Sequence, residues 1–143
     1  MKRTFLTVTS VSLILYSSYT IGKTLKSTEY EFIGHWIFSK AETIESFENS
    51  EMSEEEVHKF SKILKNQEIV ISDGLYSVYP SRGNPIRTHF SLITPPDDEG
   101  CFVLQFEDTR IPLDIQQNTF CIREGKLLLP APKGAEEVYN RKL

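Results

Sequence analysis

The chain lacks the residue patterns that most often carry chemistry. Its three histidines, His35, His58 and His89, stand at no ligand spacing from one another or from a cysteine, so no metal site is expected. There is no nucleophile elbow and no phosphate loop. Carboxylates are plentiful but cluster where solvent is expected, whereas carboxylate-pair hydrolysis needs one raised pKa. Positive charge is in deficit, with 16 Lys and Arg against 20 Asp and Glu, a net charge of -4. That balance favours neither nucleic acid nor an anionic membrane. No catalytic residue and no cofactor is expected, and the chain is not read as an enzyme. There is no internal repeat.

Apolar runs are also short. The richest segment, Phe5 to Ile21, has ten apolar residues in seventeen, thin for a spanning helix of about 20 predominantly apolar residues. Lys2-Arg3 precedes it and Lys23 ends it, with Thr20 and Gly22 as small residues before a cleavage point. This is the layout of a secretory leader. Residues 1–22 are therefore expected to be a cleaved signal peptide, and residues 23–143 a single exported domain, periplasmic in location. The alternative is a membrane anchor retained through an uncleaved 1–22. Cleavage leaves 14 basic and 20 acidic residues, a net charge of -6.

What is present is aromatic mass and alternation. Nine Phe, six Tyr and a single Trp give 143 residues large side chains for a core. The segment 31–38, holding Trp36, reads as the first strand, with Phe32, Gly34, Trp36 and Phe38 on one face. Further short strands are expected over 68–72, 75–79, 86–92, 101–106, 111–115, 119–123, 126–129 and 136–141. Asp73-Gly74 and Glu124-Gly125 mark hairpins. The spacing predicts an all-β fold, a small antiparallel barrel of about eight or nine strands. One short helix is expected near 54–65, where Ser53 and Glu56 form a capping box and Met52 and Val57 a hydrophobic staple.

Cys101 and Cys121 are an even pair in an exported chain, which suggests one disulfide. The predicted strand 111–115 between them would hold two mid-strand cysteines ~10 Å apart, beyond the reach of about 7 Å that a disulfide allows. Two buried thiols remain the alternative.

Between Ala41 and His58 there are seven Glu and no Lys or Arg. Read plainly, this is a solvated loop and helix start. Its functional counterpart is an acidic surface for a basic partner, with Glu45, Glu48, Glu51, Glu54 and Glu55 as candidates.

Gly34-His35-Trp36 on a first strand and Arg141 at the end of a last strand resemble a lipocalin-type barrel of the small exported bacterial kind. The resemblance implies that Trp36 and Arg141 are a contacting pair closing one end of the barrel, with Gly34 as the motif glycine. It also implies a carrier of a small apolar ligand as one function. The other function, drawn from small size, export, acidity and the missing catalytic set, is a non-catalytic protein-binding module of the cell envelope. Such a module would be an inhibitor or immunity-type protein against a basic hydrolase or toxin.

Overall fold

The computed structural model describes residues 30–108, 110 and 116–143. The expected leader and the expected strand 111–115 lie outside the described residues. Eight strands follow in chain order: β1 Gly34–Phe38, β2 Gln67–Ser72, β3 Leu75–Pro80, β4 Ile86–Thr94, β5 Cys101–Phe106, β6 Gln117–Arg123, β7 Lys126–Pro130 and β8 Glu136–Arg141. Each pairs antiparallel with the next, and β8 returns to pair with β1. Closure leaves the barrel without a free edge along most of its girth.

The period of two in each strand builds the interior. Along β5, Phe102, Leu104 and Phe106 are buried while Cys101, Val103 and Gln105 are less so. Trp36, Phe38, Ile69, Ile71, Tyr76, Phe120, Leu127 and Tyr139 join them from the other strands. The rings meet edge-on or stacked, as with Phe102 and Phe120 at 5.8 Å and Tyr76 and Phe106 at 5.0 Å.

One end of the barrel is closed by the chain just before β1. Glu31–Ile33 is a turn across that end, not the extension of β1 that alternation suggested. Phe32, 2% exposed, stacks on Phe102 at 4.2 Å. Trp36 Nε1 donates to the Phe32 carbonyl (2.9 Å). Arg141 lies with its guanidinium carbon 4.4 Å from the Trp36 ring centroid and donates to the carbonyls of Ile33 (3.1 Å) and Glu31. Gly34 makes room for this: its φ is +152°, and a Cβ there would stand 2.6 Å from Arg141 Nη1.

Two helices join β1 to β2 at the opposite end: α1, Lys40–Glu48, and α2, Glu54–Ile63. Helix α2 is the predicted one. Helix α1 is a correction, since its sequence reads as loop. It forms because β1 stops at Phe38 while β8 continues back to Glu136, leaving the amides of β8 beyond β1 in need of acceptors. The helix supplies them. Val138 N–H donates to Thr43 Oγ1 and Glu136 N–H to Ser46 Oγ, both at 2.9 Å, and Ser39 N–H donates to the Val138 carbonyl (2.8 Å). The face it buries therefore holds Thr43 and Phe47 rather than an apolar stripe.

Candidate functional site

The helix pair carries the acidic run. Its foundation is a second, small core in which Phe47, Met52 and Ala135 are buried and Val57, Phe60 and Leu64 pack against them. Ser53 caps α2 as its sequence predicts: Glu56 N–H donates to Ser53 Oγ (3.3 Å) and Ser53 N–H to Glu56 Oε2 (2.8 Å). The turn between the helices is fixed to the loop before β8, with Glu51 N–H donating to the Lys133 carbonyl (3.2 Å).

The seven glutamates divide into two classes. Glu42 pairs with Lys126 and accepts from Asn140 Nδ2 (2.7 Å); Lys126 first, then Asn140, hold its pKa down at about 2. Glu56 pairs with Lys133 (2.7 Å), and that ammonium together with the Ser53 amide holds it likewise at about 2. The other five, Glu45 and Glu48 on α1, Glu51 in the turn, and Glu54 and Glu55 in the first turn of α2, are exposed. Among the described residues, none of the five has a cation within ion-pair distance. Like charges at this density repel one another and raise the attraction for a positively charged surface.

Between the helices runs a groove of about 630 Å³, lined by Ile44, Glu48, Met52, Glu54, Val57, His58 and Ser61. Ile44, Met52 and Val57 give it an apolar floor, and Glu48 and Glu54 stand on its rim. The acidic run is visible in the sequence; the groove is not. Its floor takes residues from both helices, and α1 is the one that reads as loop. Ile44 one position after the buried Thr43 is the signal, but it has meaning only once α1 is a helix.

The other predicted residues lie elsewhere. Gly34, Trp36 and Arg141 are together at the end of the barrel away from the helices, in the arrangement described above. Cys101 and Cys121 form a disulfide. The obstacle raised from sequence does not arise, because β5 pairs directly with β6 and the two cysteines are partners across that ladder. Arg123 Nη2 lies 3.9 and 3.7 Å from their sulfurs, and Arg123 Nη1 pairs with Glu136 (3.0 Å). His35 bonds to Glu68 on the outer wall, while His89 is exposed. Among the described residues, no group of three or more His, Cys, Asp or Glu converges as metal ligands, and no helix is long and apolar enough to cross a membrane. No family model, curated protein or solved structure matches this chain.

Proposed function

We propose that the protein is an exported, non-catalytic binding module whose acidic helix pair docks a basic protein of the cell envelope, a hydrolase or toxin that it inhibits or neutralises. The observation that carries this is the groove of α1 and α2, an apolar floor of Ile44, Met52 and Val57 with Glu48 and Glu54 on its rim and Glu45, Glu51 and Glu55 on the same helix pair, none of the five in an ion pair among the described residues. Charge steers the encounter and the floor offers an apolar anchor point, the division of labour found at steered interfaces. The leader-like N-terminus and the cross-strand disulfide support an oxidising compartment outside the cytoplasm. Gly34, Trp36 and Arg141 support a lipocalin-like barrel of the small exported bacterial kind. The rival function within that family, carriage of a small apolar ligand, has less behind it, because aromatic side chains occupy the described interior.

The test uses egg-white lysozyme as a basic cell-wall hydrolase. Calorimetric titration is expected to show saturable binding that weakens steeply as salt is raised. The variant with Glu45, Glu48, Glu51, Glu54 and Glu55 all changed to Gln is expected to bind about tenfold more weakly or worse. Salt-independent binding, or equal binding by the variant, would remove the acidic groove as the docking surface.

A further inference from the structure

At the helix end, the inward face of the barrel ceases to be apolar. Glu137 and Tyr139 alternate inward on β8, and Gln67 stands two residues before the buried Ile69 on β2. The Tyr139 hydroxyl accepts from Gln67 Nε2 and donates to Glu137 Oε2 (3.0 Å). Tyr139 itself is fully buried, against Phe38 at 5.4 Å. Tyr76 is 8% exposed, and its hydroxyl makes no hydrogen bond among the described residues. Burial first, and then the negative charge of Glu137, push the pKa of both phenols up, so both remain neutral donors that feel the same carboxylate.

Glu137 is thus half-buried, uses one carboxylate oxygen for Tyr139, and has no Lys, Arg or His in ion-pair range among the described residues. A partly desolvated carboxylate without a counter-ion favours capture of a cation. The way in is an indentation of about 280 Å³ under the end of α2, lined by Phe38, Ile63, Leu64, Lys65, Gln67 and Glu137. Three of those six are apolar, and Ile63 is 64% exposed with nothing over it. The space suits a small charged head with a short hydrocarbon tail. Lys65, on the same rim, is the competitor from within the chain.

We propose that the helix end of the barrel binds a small primary ammonium ion bearing a short alkyl tail, with Glu137 as its counter-ion. Gln67 and Tyr139 position that carboxylate, and Phe38, Ile63 and Leu64 cover the tail. The site is separate from the groove between the helices and does not depend on its role.

The experiment is an NMR titration of the full chain with n-butylammonium chloride and, in parallel, with n-butanol as the neutral analogue of similar size. The ammonium is expected to shift the side-chain signals of Gln67, Tyr76 and Tyr139 saturably, and the alcohol to leave them in place. Glu137→Gln keeps an acceptor for Tyr139 and is expected to preserve the fold's amide spectrum while weakening ammonium binding about tenfold or more. Lys65→Ala is expected to bind as well as the parent or more tightly. Equal shifts with butanol, undiminished binding by Glu137→Gln, or binding that emerges only in Lys65→Ala would each overturn the proposal, the last by showing that Lys65 fills the site.

Discussion

The two ends of the barrel solve the same problem in opposite ways. At the Trp36 end the chain folds back on itself and uses up its polar groups: Arg141 answers two carbonyls and an indole face at once. At the helix end, α1 completes the edge of β8 with hydroxyl groups and then presents, with α2, five glutamates that form no ion pair among the described residues. The difference separates stability from recognition. Substitutions at the first end should be felt in folding, and those on the exposed face of the second in binding.

The largest expected effect on folding is at Trp36. Its side chain is fully buried, and Trp36→Ala should destabilise by about 3–5 kcal/mol, read from urea or thermal unfolding. Next comes Thr43, also fully buried. Thr43→Ala strands the Val138 amide and should cost about 1–3 kcal/mol, whereas Thr43→Ser, which keeps the acceptor, should recover most of it. If Thr43→Ala proves neutral, α1 is not completing the barrel edge. Arg141→Ala follows at about 0.5–2 kcal/mol, from the lost cation–π contact and the apolar surface its stem covers. Coupling between Trp36 and Arg141 in a double-mutant cycle should be measurable; additivity would break the account of that end.

Acid should distinguish the two classes of glutamate. Glu42 and Glu56 have folded-state pKa values near 2 against an ordinary 4.5. The folded form therefore binds fewer protons than the unfolded one, and their contribution is complete above pH 4.5 and lost as pH falls toward 2. Melting temperature should drop across that window, and Glu42→Gln should shallow the drop. The variant with Gln at all five unpaired positions should keep the drop and match the parent's neutral-pH stability within about 0.5 kcal/mol.

Much of this frame is legible in the sequence because it rests on local rules. The strands announce themselves by alternation, and α2 by Ser53 and Glu56, whose mutual bonds lie within one helical turn. Helix α1 escapes because its partner is an unfinished strand edge almost a hundred residues away in the chain, and the residues that meet it, Thr43 and Ser46, carry no apolar signal. The disulfide of Cys101 and Cys121 is suggested by the even pair but left open by the sequence for a related reason: it depends on β5 and β6 being neighbours, which alternation alone does not say. Trp36 and Arg141 become a pair only through the lipocalin resemblance, since no spacing rule joins residues at opposite ends of a chain. The unpaired glutamates stand out as composition, but which of the seven are tethered depends on Lys126 and Lys133, brought in by β7 and the loop before β8.

The measurement that bears most directly on the central claim is the map of amide shifts when unlabelled egg-white lysozyme is added to the isotope-labelled protein at low salt. The account predicts perturbations concentrated between residues 44 and 61, on both sides of the groove, and their disappearance at high salt. Perturbations centred on the Trp36–Arg141 end, or none at all, would contradict it.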